Sequence, residues 1–358
     1  MKTKRKTKSP RSAKLPLSRR LALRSALGVF AVYIILSWIG GCFVHHPKAW
    51  LDEQSSNLPD WLFDALCYLG NPAEDLTNAI GLTGEDAVYH YEDEVPFGEP
   101  VFAGEPVRTG EPAPSDITVI DRGEFKIGWS PRLRHPVWVA YHVPPESKYD
   151  IQKRPNFVKD RSTAGSPVPA DYTSSGYDRG HMAPNHAIAS RFGEAMQKNT
   201  FYMTNIVPQS PQLNRGVWRD VEHRIADLWT RRWGEIWVIV GTISNGNETL
   251  SGKDIDVPDS MYQIVIAVDE TKPEDAANKE PAQYDLRVCA MIFPQDVPWK
   301  AWPTRYLATI DEIEEKTGLD FFPDLYPAIQ DPLEKQLPTR LFPISKSDLL
   351  KEIALRFD

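Results

Sequence analysis

Apolar residues fall into three textures along this chain. From Ser25 to Val44 they run without a charge, as "SALGVFAVYIILSWIGGCFV". From Ile117 onward they come in β-branched and aromatic bursts bounded by turn residues: "WVAYHV" (138–143), "IWVIVGTI" (236–243), "YQIVIAV" (262–268) and "LRVCAMIF" (286–293). Such bursts predict strands, several of them buried on both faces. The third texture is helical. In "NRGVWRDVEHRIADLWTRRWG" (214–234), Trp218, Val221, Ile225, Leu228 and Trp229 recur at the spacing of one helix face, and Gly234 suits a C-terminal cap. "TIDEIEEKTGLD" (309–320) predicts another helix, with Thr309 and Glu312 as a capping box and Gly318 as the stop. Strands interleaved with helices, without regular βαβ alternation, predict a mixed α+β domain.

The uncharged run is long enough to matter. About 20 apolar residues match the hydrocarbon thickness of a bilayer. Residues 1–24 hold ten Lys and Arg and no acid, which predicts a cytoplasmic tail, a transmembrane anchor at 25–44, and the rest of the chain outside the cytoplasm. A cleaved signal peptide giving a secreted protein, a lipid anchor through Cys42 in "IGGC", and a mitochondrial presequence are the alternatives. Residues 45–114 read as a membrane-proximal region, with a short amphipathic helix in "LPDWLFDALCYLG" (58–70). "PFGEPVFAGEPVRTGEPAPSD" (96–116) repeats Gly-Glu-Pro three times and reads as a semi-rigid acidic linker. The globular domain is expected over 115–345, followed by a tail at 346–358.

Composition changes this picture little. The 358 residues are 41% hydrophobic and 25% charged, as in globular proteins. Three cysteines (Cys42, Cys67, Cys289) make no disulfide framework, although a Cys67–Cys289 bridge stays open. The net charge of −8 argues against a passive nucleic-acid coat. Charge is nonetheless uneven: residues 151–232 carry twelve Lys and Arg against seven Asp and Glu. A basic stretch in an acidic body suits contact with phosphates.

The same stretch holds the candidate chemistry. "SSGYDRGHMAPN" (174–185) sets Asp178, Arg179 and His181 around Gly180. A base working near neutral pH is most readily a His, here His181. Arg179 offers a planar fork for a phosphate, and Asp178 is placed to orient either neighbour. "MTNIVPQSPQLNRGVWRDVE" adds Asn205, Asn214, Arg215 and Glu222. Asn214, at the expected helix start, offers a neutral oxygen of the kind Mg²⁺ accepts. Glu222, eight residues on, is expected on roughly the same face, where a carboxylate holds metal-bound water. Each residue alone has a bland reading, as a turn, an N-cap or a solvated helix position. The set carries the argument.

The order "DRGHMAP", "TNIVPQ", then Asn214-x3-Trp218-x3-Glu222 resembles the DNA/RNA non-specific endonucleases, the ββα-metal (His-Me finger) family, over about residues 115–345. The resemblance implies an α+β fold with a central mixed or antiparallel sheet. It implies Mg²⁺-dependent hydrolysis of DNA and RNA to 5′-phosphate ends, with Mn²⁺ as a substitute ion. His181 would be the general base, Asn214 the direct metal ligand and Glu222 the carboxylate behind the metal's waters. Arg179 would face the phosphate or brace the site, Asn205 would support it, and Arg154 matches a phosphate-clamping arginine. Asp178 and Arg215 are placed with these supporting groups. The family often carries an arginine four residues after the glutamate, where this chain has Ala226. That departure leaves open a membrane-tethered nucleic-acid binder with a weak or inactive site, and the acidic linker and N-terminal region leave open an envelope scaffold that binds a protein partner. A homodimer and an inhibitor protein also remain open as partners.

Overall fold

The computed structural model describes residues 89–91, 98, 100–109, 116–250, 252–271, 283–338 and 341–342. Its strands are β1 (Tyr89–Tyr91), β2 (Val107–Arg108), β3 (Thr118–Asp121), β4 (Phe125–Ser130), β5 (His135–Val143), β6 (Asp178–His181), β7 (Ile206–Gln209), β8 (Ile236–Ile243), β9 (Ser260–Thr271), β10 (Gln283–Pro294), β11 (Leu307–Ala308) and β12 (Leu319–Asp320). Its helices are α1 (Asn185–Thr200), α2 (Pro211–Arg215), α3 (Val217–His223), α4 (Thr230–Trp233), α5 (Ile310–Thr317) and α6 (Pro327–Lys335).

An eight-stranded sheet in the order β1-β10-β9-β8-β5-β4-β3, with β11 added on β10, organises the domain. Every pairing in it is antiparallel. The four apolar bursts lie within β5, β8, β9 and β10, as their β-branched composition requires. All residues of β5 and β8 are buried, so helices must cover both faces. Alternation divides them: Val139, Tyr141 and Val143 join one core with Met182, Ile188, Trp218 and Trp229, whereas Trp138 and Ala140 join another with Ile310, Ile313, Phe321 and Leu333. Burying one large apolar side chain contributes roughly 1.5–3 kcal/mol. Trp129, Trp138, Trp218 and Trp229, all almost fully buried, are therefore major anchors of the two layers.

Two expectations are corrected. The acidic linker is in part core: Val101, Phe102 and Ala103 are buried, and the Phe102 ring meets Phe322 edge-on at 5.6 Å. The three apolar residues between two Gly-Glu-Pro copies gain more by burial than the prolines lose by forbidding regular structure. The helix of 214–234 starts earlier and is broken. Ser210 accepts from Leu213 N–H at 3.2 Å, and Pro211 opens α2. Gly216 interrupts it with φ −104° and ψ −119°, and residues Arg224–Trp229 widen into a π-turn before α4 stops at Gly234 (φ 77°). Thr309 caps α5 by accepting from Glu312 N–H, and Gly318 ends it in the left-handed region (φ 64°).

Among the described residues no helix is long and apolar enough to cross a membrane. The segments 25–44, 58–70 and 346–358, with Cys42 and Cys67, lie outside the described residues. Cys289 is buried in the core.

Candidate active site

Residues 178–181 and 206–209 form an antiparallel pair apart from the main sheet, and α2 and α3 follow it directly. This ββα unit positions the site. His181 pairs with Ile206, and Gly180 lies against Gln209 so closely that a Cβ there would meet Gln209 Oε1 at 1.9 Å. A side chain at 180 would therefore force the buried Gln209 side chain to move. Behind the hairpin, Asn205 is fully buried. It accepts from Ala183 N–H at 2.9 Å and donates to the carbonyls of Ala183 and Thr200. It clamps the turn after His181 to the end of α1, a supporting role reached through the backbone.

The His181 ring is held between two phenylalanines, Phe201 at 4.8 Å and Phe157 at 5.2 Å. Its Nε2 is buried with no hydrogen-bond partner among the described residues. Burial, and then the Arg154 guanidinium, push its pKa from the ordinary 6.5 down to about 3. In the substrate-free site the imidazole is therefore neutral throughout the physiological range. Arg154 lies over the Phe201 ring at 5.6 Å and Arg179 over the Phe157 ring at 5.6 Å, so a guanidinium flanks each wall.

The supporting residues are arranged differently from the first expectation. Asp178 turns to neither Arg179 nor His181. It accepts from Asn214 Nδ2 at 2.9 Å and from Arg215 Nε at 2.7 Å. These two donors outweigh the desolvation of its carboxyl and hold its pKa below the usual range. Because the amide nitrogen is committed to Asp178, Asn214 keeps its Oδ1 as the unengaged atom. Arg179 donates twice to the Pro169 carbonyl, at 2.7 and 3.1 Å, so it braces the preceding loop. Arg154 is exposed and, among the described residues, makes only ring and electrostatic contacts, which leaves its guanidinium open to an anion.

Glu222 accepts from the Trp218 indole N–H at 3.0 Å. Its surroundings desolvate it, and its pKa is pushed from 4.5 up to about 8 despite that bond and the field of Arg154 and Arg219. Arg154 acts electrostatically on both His181 and Glu222, which brings the base candidate and the carboxyl to one locality although helix periodicity is interrupted at Gly216. Ala226 is buried, on the π-turn, and its carbonyl accepts from Thr230 Oγ1 at 2.9 Å. Arg224 is 2% exposed, so it does not take the place of the missing surface arginine. His186 and His223 are about half exposed and both contact Asp227, at 3.1 and 2.9 Å.

A hard divalent ion fits this donor set: one oriented neutral amide oxygen, one carboxyl that is costly to ionise without a cation, and an unpartnered imidazole beside them. Sequence reasoning missed the Phe157 and Phe201 walls and the Trp218 bond. Phe157 had a faint signal, as the aromatic residue three positions after Arg154 in "KRPNF".

Comparison with known proteins agrees with the geometry. The family model described as DNA/RNA non-specific endonuclease matches residues 103–328. A nuclease from Nostoc sp. is 31% identical over 207 residues, covering 56% of this chain and 71% of that protein. The mitochondrial nuclease EXOG of Mus musculus is 32% identical over 211 residues, covering 54% of this chain and 53% of its own. Human mitochondrial endonuclease G is 29% identical over 220 residues, covering 57% and 69%. The match thus spans only about half of the EXOG relatives' length. With the family model covering well over half of the chain, and the hairpin, imidazole, amide and carboxyl arranged as described, the chain belongs to the DNA/RNA non-specific endonuclease family.

Proposed function

We propose that this protein hydrolyses internal phosphodiester bonds of DNA and RNA with little sequence preference, using a single Mg²⁺. The observation that carries the reading is a neutral, buried imidazole with a vacant nitrogen, in the same locality as an amide oxygen that Asp178 leaves free. His181 acts as general base toward a water. It is neutral before substrate arrives, and the negative phosphate that then sits beside it raises its proton affinity toward the useful range. Arg154 binds the phosphate and, once occupied, no longer depresses His181 as strongly. Asn214 and Glu222 would hold Mg²⁺, directly and through its waters, and the ion would supply stabilisation of charge on the phosphoryl oxygens. Asp178 keeps the Asn214 amide in the required orientation, while Arg179 and Asn205 keep the loops in place. Contacts of this kind address the backbone and not the bases, which supports activity on both nucleic acids.

The basic, then apolar, N-terminal segment supports delivery of the domain out of the compartment of synthesis, by a membrane anchor or into mitochondria. The mitochondrial names of several relatives support the second route. The test of the function is cleavage of supercoiled plasmid and of single-stranded RNA by the full chain, with Mg²⁺ or EDTA, beside His181→Ala. Cleavage that requires both the ion and the imidazole supports the proposal. A folded wild-type protein that binds DNA without cutting it refutes it in favour of a binding role.

A further inference from the structure

We infer that the domain has a second cation site, remote from His181, in which Asp311 and Glu314 of α5 and Glu334 of α6 bind a hard divalent ion of the Ca²⁺ class. One carboxylate oxygen from each of the three lies within 4.8 Å of the others. Oxygens on one Ca²⁺ sit at about 2.3–2.6 Å from it, so pairs of them are separated by at most about 5 Å. The three groups thus already fit inside one coordination sphere.

Acidic groups gather on many surfaces without binding anything, and Glu334 is what distinguishes this cluster. It is only 5% exposed; Gln330 interacts with its carboxyl, yet its Oε1 is buried with no hydrogen-bond partner among the described residues. A buried carboxyl oxygen without a partner is costly. The neighbouring lysines do not relieve it: Lys316 pairs with Glu312 at 3.8 Å and Lys335 with Asp331 at 3.3 Å. Among the described residues no Lys or Arg forms an ion pair with Asp311, Glu314 or Glu334. Asp320 adds further negative charge, acting on both glutamates.

The surrounding contacts hold the cluster in place. Glu314 Oε1 accepts from Phe321 N–H at 2.8 Å, which fixes the carboxyl and leaves its second oxygen to other partners. Gln330 donates to Asp320 Oδ1 at 3.0 Å and to the Phe321 carbonyl at 2.8 Å, tying α6 to the turn that follows α5. Burial and mutual repulsion push Glu314 up to about 7 and Glu334 up to about 8. Ile310, Ile313 and Leu333 place α5 and α6 on the sheet face opposite the ββα unit. An ion there has a structural role, locking α5 to α6.

The experiment is thermal unfolding of the chelator-stripped full chain, carrying Asn214→Ala to disable the proposed catalytic ion site. Added Ca²⁺ is expected to raise Tm by roughly 5–10 °C at about 100 times its Kd. The rise should be lost in Glu334→Gln and Glu314→Gln. These variants are expected to fold, since Gln keeps the size and shape of each carboxyl and removes its repulsion from the neighbouring acids. Should either fail to fold, Asp311→Asn, at a partly exposed position, replaces it in the same comparison. No shift with Ca²⁺ or Mn²⁺, or a shift that the carboxylate variants retain, overturns the inference. Because the readout is stability and Asn214 is already removed, the outcome is independent of whether the protein is an active nuclease.

Discussion

On one face of the sheet, His181, Asn214 and Glu222 come from a single stretch of hairpin and helix, and nearly every supporting group can be named by its bond. On the opposite face, Asp311, Glu314 and Glu334 come from two helices joined by a turn, and among the described residues no Lys or Arg pairs with them. Both regions force ionisable groups away from their ordinary behaviour, by the same desolvation. They differ in compensation. The first couples its perturbed groups to arginines, an indole and aromatic walls, whereas the second couples carboxyls to one another. A site built for an anionic substrate needs cationic groups at its rim. A cluster of carboxyls with no cation of its own calls for one from solution, or for protons.

The largest effect should come from the first region. His181→Ala is expected to lower plasmid cleavage by about 10²–10⁴-fold without loss of DNA binding, as removal of a general base does. Retention of near wild-type rates would break the contrast by making the imidazole structural. Next, Asp178→Asn exchanges an acceptor-only carboxylate for an amide and frees Asn214 to rotate. The Mg²⁺ concentration for half-maximal cleavage should rise about 10–100-fold, with a smaller change at saturating ion. An equal loss at all Mg²⁺ concentrations would indicate damage to the hairpin instead.

The second region is probed by pH. A carboxyl raised in the folded state keeps its proton after its unfolded counterpart has lost it, so the native state binds more protons and stability falls as pH rises through that window. For Glu334 the window runs from its ordinary 4.5 to about 8. Between pH 6.5 and 8, in EDTA, Glu334→Gln should flatten the decline in urea-measured stability by on the order of 1–2 kcal/mol. His181 has the opposite sign: lowered from 6.5 to about 3, it costs stability as pH falls through that interval, and His181→Phe should flatten the acid limb. The smallest effect is expected for Trp218→Phe, which keeps an aromatic ring but removes the donor to Glu222. Cleavage should fall about 2- to 10-fold, the value of one hydrogen bond.

The catalytic side was legible because its chemistry is written in contiguous order. "DRGH", the asparagine and the glutamate are near in sequence, and uninterrupted apolar, β-branched runs made the two-sided burial of β5 and β8 readable. Spacing failed where backbone geometry intervened. Gly216 disrupts the 3.6-residue phase on which the Asn214–Glu222 argument stood, and Asp178 was assigned to its sequence neighbours when its partners lay on α2. The carboxylate cluster left only a trace: Asp311 and Glu314 stand beside the apolar Ile310 and Ile313, and Glu334 beside Leu333.

Sequence by itself determined the kind of molecule: an α+β domain, the family, and the residue types able to hold an ion and take a proton. The fold class follows from periodicity along the chain, and the family from the resemblance that its motifs carry. Only the tertiary structure decided which polar groups lose water, which partner Asp178 takes, that Phe157 and Phe201 enclose His181, and that three carboxyls converge far from it. Desolvation and Coulomb energy depend on distances in space, and those distances exist only once the two sheet faces have been covered.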